Sequence, residues 1–260
     1  MMADLNITLQ ELRAILTDED IEETPETWVR IAVLAHRGGG EATHYAMCHL
    51  ERWSAPGAPQ REWSDLSLSG AHLASTDLEG VDLASMDLSS ADLIGADLTG
   101  ANLTGANLSR ALLSKATLTE ATMDGADLTG AILEDSVLMD ATMTEATLIG
   151  ACIHSDLRGV DLSGAQLRGA QLQQSDLSGA RLWGADLTGA NMTEALLSRT
   201  CFYMARLVGV ILTDAYLPGA DLRLANFIGA DLTGAYLDDD ALVAAGLSSS
   251  QYASIIISDT

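Results

Sequence analysis

The sequence predicts an all-β solenoid. Three observations carry that reading: a five-residue repeat running to Leu237, two apolar positions in nearly every repeat, and glycine closing about half of the repeats. The unit reads Ala-Asp-Leu-x-Gly, as in Ala91-Asp92-Leu93-Ile94-Gly95 and Ala96-Asp97-Leu98-Thr99-Gly100. With the Leu taken as the centre, centres fall every five residues from Leu68 to Ile153, giving 18 units. They resume at Leu157 and run to Leu237, giving 17 more. Besides Ile153, only Met123, Met143, Met192, Phe202 and Phe227 replace Leu at a centre.

A period of five fits neither a helix nor a long strand. It fits three extended residues followed by a turn. Extended residues alternate sides, so the centre and the residue two before it share a face. That pair is Leu and Ala, and it points inward. The residue between them is mostly Asp, Asn, Thr or Gln and points to water. Of 23 glycines, 18 stand two residues after the centre, where a type II turn wants positive φ. Small Ala inside suits a coil too narrow for two large side chains per unit.

Thirty-five consecutive units of this form resemble the pentapeptide-repeat family, whose motif is A(D/N)LxX, from Leu66 to Leu237. The resemblance implies a right-handed quadrilateral parallel β-helix with four units, or 20 residues, per coil. Residues 64–237 then make a rod roughly 41 Å long at one strand spacing per coil. The expected organisation is a helical region over 1–63, the β-helix over 64–237, and a cap over 238–260. Solenoid ends need such covers. In the first segment, Thr8-Leu9-Gln10-Glu11 reads as a capping box. Further helices are expected after Thr24-Pro25 and over about Glu41 to Trp53. In the last segment, Ser248-Ser249-Ser250 reads as the cap of a short helix bearing Tyr252, Ile255, Ile256 and Ile257.

Thirteen basic side chains face 37 acidic ones, a net charge of −24. That excludes a protein that grips nucleic acid directly or docks on anionic membrane. Cys48, Cys152 and Cys201 are odd in number and widely spaced, which suits a reducing compartment. Met1–Gln10 carries Asp4 and lacks a basic-then-apolar leader. A soluble, cytoplasmic protein is expected. His44, Cys48 and His49, with His36 nearby, fall short of a zinc set. The Asp rows lack a Gly-Gly-x-Gly-x-Asp calcium signature, and Gly38-Gly39-Gly40 lacks the Lys-Ser/Thr of a phosphate loop. No metal, cofactor or enzyme activity is expected. The Asp side chains are read as solvated or bonded to the adjoining turn.

Two outward stripes break the polar pattern. Leu196, Tyr216 and Tyr236 share one column at 20-residue spacing, and Trp183, Tyr203 and Arg223 share a second on the next face. With the Ile255-Ile256-Ile257 tail, they suggest a homodimer through the C-terminal end. An intrachain cover by the tail is the alternative. Between Ile153 and Leu157 the centres are four apart, so one residue is missing around His154-Ser155 and a corner must tighten there.

Charge is graded along the rod. Ser64 to Ser109 carries seven acids and no base, Arg110 to Ser155 nets −5, and Asp156 to Leu237 nets −2. Seven charges over ~11 Å is one per ~1.6 Å, near the ~1.7 Å of duplex DNA. In this the chain resembles the quinolone-resistance branch of the family and relatives protecting producers of topoisomerase poisons. Those proteins resemble B-DNA, associate through their C-terminal ends and dock on DNA gyrase. The resemblance implies a partner with a basic surface, DNA gyrase or topoisomerase IV, engaged by Asp77, Glu79, Asp82, Asp87, Asp92 and Asp97. Departures from that branch are Leu rather than Phe centres, no long interrupting loop, and a nearly neutral C-terminal half. The competing expectation is a rigid interaction scaffold with specificity in the N-terminal helical region.

Overall fold

The computed structural model describes residues 68–257, with side chains placed as far as Ile255. The N-terminal helical region, with His44, Cys48, His49 and Gly38–Gly40, lies outside the described residues. Within them the chain winds as a stack of 20-residue coils. Parallel bridges join outward residues one coil apart, such as Asp77 to Asp97, Asp97 to Thr117 and Leu196 to Tyr216. Four units per coil give four faces.

One hydrogen-bond scheme repeats, shown by the unit centred on Leu78. Leu78 N–H donates to Asp97 C=O at 2.7 Å, and Asp97 N–H donates back to Thr76 C=O at 2.9 Å. Gly80 N–H donates to Thr99 C=O at 2.8 Å, and Val81 N–H closes the turn on Leu78 C=O at 3.2 Å. The fifth amide, that of Glu79, donates to Asp77 Oδ1 at 3.2 Å. In the unit centred on Leu98, with coils on both sides, every backbone donor from Ala96 to Gly100 has a partner.

The core is one continuous column of the Leu centres and the small residues two before them, nearly all under 7% exposed. The five buried polar residues, Thr76, Ser136, Ser155, Ser175 and Thr200, all occupy the small-residue position. Except at Ser155 in the short unit and Asp239 after the last centre, the residue two after the centre is left-handed: eighteen glycines and fifteen other residues, Met204 and Leu224 among them, have φ between 55° and 71°. Closing the turn, as Ala225 N–H does on Leu222 C=O at 3.2 Å, imposes that geometry over local preference.

The missing residue does not break the stack. Val137 pairs with Asp156 and Asp156 with Asp176, so the columns run through the short unit.

The C-terminal end differs from the sequence expectation. A helix not anticipated, α1 (Asp239–Ala245), begins at an Asp238 cap that accepts from Ala241 N–H and ends at left-handed Gly246. Its Ala241 and Ala245 are buried on the last coil. The Ser248 cap is present, as a capping box with Gln251, but the helix it starts, α2, spans only Ser249–Tyr252. Ile256–Ile257 is not helical. It forms strand β2, parallel to β1 (Tyr236–Leu237), with Tyr236 opposite Ile256 and Leu237 opposite Ile257. Three consecutive β-branched residues favour an extended chain, and the register of 20 continues the ladder.

Candidate functional site: an acidic rod with one part-covered end

The Asp in the middle of a unit is held by its own turn. Asp82 Oδ1 accepts from Ala84 N–H, Asp92 Oδ1 from Ile94 N–H and Asp97 Oδ1 from Thr99 N–H, at 3.0–3.2 Å. Asp87 Oδ1 likewise accepts from Ser89 N–H at 3.1 Å. The carboxylates are thus fixed on a rigid backbone with little side-chain freedom left to lose on binding. Asn does the same work: Asn102 and Asn107 accept from Thr104 and Ser109 amides at 3.1 Å. At this position an amide closes the turn as well as a carboxylate does, so the turn does not require the charge.

The six predicted acids do not form a single patch. Asp77 and Asp97 stack on one face with Glu79 at its turn. Asp82 lies in a column with Asn102, Asp87 in one with Asn107, and Asp92 between His72 and Leu112. They encircle the first coils as a belt. Among the described residues, no Lys or Arg pairs with Asp77, Glu79, Asp82, Asp92 or Asp97, and Asp92 has only His72 Nδ1 at 4.0 Å.

The later coils are different. Arg158 grips Asp156 with both ends of its fork, Nε to Oδ1 at 2.8 Å and Nη2 to Oδ2 at 2.7 Å. Arg223 grips Asp221 with the same distances. Arg168 bonds Asp186 at 2.7 Å, and Arg181 lies 3.5 Å from Asp161. The guanidinium bonds hold the Asp156 and Asp221 carboxyls below the usual carboxylate range. Burial raises Asp186, but the Thr188 hydroxyl and Arg168 outweigh it and the net shift is downward. Half of the eight acids between Asp156 and Leu237 thus have an arginine partner, whereas Asp77, Glu79, Asp82, Asp92 and Asp97 have none among the described residues. Sequence reading gave the totals but missed the pairs. The signal was present as Asp-Leu-Arg within one unit, at 156–158 and 221–223, whose first and third residues both face outward.

The predicted dimer residues fall on two adjacent faces. Tyr216 stacks on Tyr236 with ring centroids 4.8 Å apart, in the column that Leu196 begins and Ile256 extends. Trp183 is exposed on the next corner, and Arg223 lies 5.5 Å from the centroid of the Tyr203 ring there. Ile255 packs against the core of its own chain. An open cleft of about 790 Å³ runs beside Tyr216, lined by Ser178, Ser198, Arg199, Pro218 and Asp238.

Among the described residues, the last coil is covered on part of its edge only. Gln251 Nε2 donates to Phe227 C=O and Ala230 C=O, and Gly234 N–H donates to Ser254 C=O. The amides of Leu222, Leu224, Phe227 and Gly229 have no acceptor among the described residues. Their counterparts one coil earlier, Phe202, Met204, Leu207 and Gly209, each donate to the next coil. Leu224, Ile228 and Val243, 69%, 72% and 88% exposed, are the most exposed large apolar side chains described. Sequence reading missed this edge because it exists only where the ladder stops.

Among the described residues, no group of three or more His, Cys, Asp or Glu is placed to hold a metal ion, and no helix is long and apolar enough to cross a membrane.

Comparison with known proteins agrees with the repeat. No curated protein matches. Among solved structures, HetL, a pentapeptide repeat protein involved in heterocyst differentiation regulation from the cyanobacterium Nostoc sp. strain PCC 7120, is 33% identical. That match covers 65% of this chain and 84% of HetL, with a TM-score of 0.32. A trypsin-treated form of QnrB1, a plasmid-mediated fluoroquinolone resistance protein, is 16% identical over 72% of this chain and 92% of its own, with a TM-score of 0.44. Rfr23, a pentapeptide repeat protein from the cyanobacterium Cyanothece 51142, is 28% identical over 41% of this chain and 87% of its own, with a TM-score of 0.30. The family pattern of pentapeptide repeats matches in eight copies, in overlapping segments from 67–105 to 212–239. With that much of its length so matched, the chain belongs to the pentapeptide-repeat family.

Proposed function

We propose that this chain is a non-enzymatic, cytoplasmic binding protein that mimics the charge of DNA. Its acidic first coils engage the DNA-binding surface of a protein such as DNA gyrase or topoisomerase IV and shield it from poisons. One observation carries the reading: Asp stands at five successive positions, from Asp77 to Asp97, where Asn would close the same turn, within a stretch, Ser64 to Ser109, that contains no Lys or Arg. The fold does not need those charges, so another requirement keeps them. The seven acids of Ser64 to Ser109, about one per 1.6 Å of axis, suit a surface that binds where phosphates would. Fixed carboxylates would steer a basic partner in and make the encounter salt-sensitive.

A homodimer through the C-terminal end completes the proposal. The part-covered edge and exposed Leu224, Ile228 and Val243 support it. The decisive experiment measures gyrase supercoiling and poison-induced cleavage against increasing protein at two salt concentrations. Inhibition or protection that weakens with salt is expected. No effect at either salt, at micromolar protein, removes the topoisomerase reading. A rigid scaffold is the second reading, favoured by the uninterrupted ladder from His72 to Tyr236. In that case pull-down follows the N-terminal region and ignores the acidic coils.

A further inference from the structure

We propose that Ser136, Ser155 and Ser175 form a hydroxyl splice that replaces the residue missing after His154, with Ser175 carrying its central bond. In a complete unit, the small inward residue that opens the next unit donates its N–H to the preceding centre's carbonyl. Ser136 does so to Leu133, and Ser175 to Leu172, both at 3.2 Å. Across the short unit that bond cannot form, because only His154 separates Ile153 from Ser155. Two backbone groups would be stranded next to a core in which Ile153 is 1% exposed and Ser155 8%.

The Ser175 hydroxyl, one coil on, joins them. It accepts from Ser155 N–H at 3.2 Å and donates to Ile153 C=O. It thus relays the missing turn bond through a side chain. One layer below, the hydroxyls of Ser155 and Ser136 both reach Leu133 C=O, and they lie 3.0 Å apart. The three serines stack in one inward column, through bridges of Val137 to Asp156 and Asp156 to Asp176.

Thr200 supplies the internal comparison. Its hydroxyl reaches Leu177 C=O at 2.8 Å by the same path, but that carbonyl also accepts Ala180 N–H at 2.9 Å. There the hydroxyl is an extra bond; at Ser175 it is the bond. Without the splice, the column joining Asp77 and Asp97 to Leu196 and Tyr216 would lose its continuity at the short unit. The splice rests on its own hydrogen bonds and is independent of what the rod binds.

The experiment compares thermal unfolding of the full chain with Ser175→Ala, Thr200→Val, a glycine inserted between His154 and Ser155, and the insertion combined with Ser175→Ala. Ser175→Ala should lower Tm by roughly 5 °C, as expected for a chain this long when two buried polar groups lose their partner. Thr200→Val should lower it by less than half as much. The insertion restores a five-residue unit in which Ser155 N–H can reach Ile153 C=O, so it should recover most of what Ser175→Ala loses. If Ser175→Ala abolishes folding and the insertion restores it, the proposal also stands. It is overturned if Ser175→Ala costs no more than Thr200→Val, or if the insertion fails to recover the loss. Amide exchange at Ser155 reads the same bond directly: protection must fall in Ser175→Ala and return with the insertion.

Discussion

Asn102 donates its Nδ2 to Oδ1 of Asp82, one coil away, at 2.9 Å, while its own Oδ1 accepts Thr104 N–H at 3.1 Å. One amide side chain therefore closes its turn and quiets the carboxylate stacked against it. Asn107 treats Asp87 in the same way at 3.1 Å. Replacing Asn102 by Asp keeps the turn bond but sets two carboxylates face to face. The expected loss is about 0.5 kcal/mol, the scale for like charges across neighbouring strands. Urea unfolding should show it at low salt and much less at high salt. A loss independent of salt would mean that shape, not charge, is responsible.

The same relationship makes a charge-only variant feasible. Changing Asp77, Asp82, Asp87, Asp92 and Asp97 together to Asn leaves an acceptor for every turn amide. The circular dichroism spectrum should hold and thermal stability should not fall. Binding to a basic DNA-handling partner, read as gyrase inhibition, should be lost. A folded variant that still inhibits would show that the belt is not the contact.

The period of five made the core legible, because every coil presents the same Leu and small residue to one axis. Asp was legible as a turn acceptor for the same reason. The fifteen left-handed residues that are not glycine were not, since bonds to the next coil override the local preference at Lys115 or Met204. A serine cap followed by three isoleucines predicts a helix through Ile256. Its distance of 20 from Tyr236 was the contrary signal, and ladder bonding prevailed. Helix α1 carried ordinary signals, an Asp cap and a closing Gly246, but it lay just beyond a repeat that dominated the reading. The uncovered edge had no signal at all, because it depends on where α1 and β2 settle.

Leu224 has φ of 59° and its side chain is 69% exposed, so it is both strained and unburied. Leu224→Gly should stabilise the isolated chain by about 1 kcal/mol, the scale of a left-handed L-residue. Gly234→Ala should do the reverse. Its φ is 69°, and a Cβ there would collide with the Asp214 carboxylate. Urea midpoints that move in opposite directions check both. A Leu224→Gly variant no more stable than the parent would mean that the exposed leucine is held by contacts within the chain.

The paired carboxylates should resist acid longer than ordinary ones. Asp156 and Asp221 have folded-state pKa values below the ordinary one, so their pairs stabilise the fold above the unfolded value of about 3.9. That contribution is lost as pH falls through the lower folded values. Replacing Arg158 and Arg223 by Gln should lower stability modestly at neutral pH, and the difference from the parent should close as pH falls below about 4. Urea midpoints across that range test it. A gap that stays constant into acid would assign the arginines a packing role.

Self-association should be tested at the uncovered edge rather than on the tyrosine column. Tyr216 stacks on Tyr236 within the chain, so Tyr216→Asp would disturb its own coil as well as any partner. Ile228 and Val243 are far more exposed, and neither is part of the buried core. Ile228→Asp and Val243→Asp should leave the thermal transition of the coils intact and shift sedimentation from dimer to monomer. The logic is that a charge set into a desolvated contact is costly, whereas the same charge on an open surface is not. A parent chain that already sediments as a monomer at tens of micromolar ends the dimer proposal, and the exposed edge then belongs to a different partner.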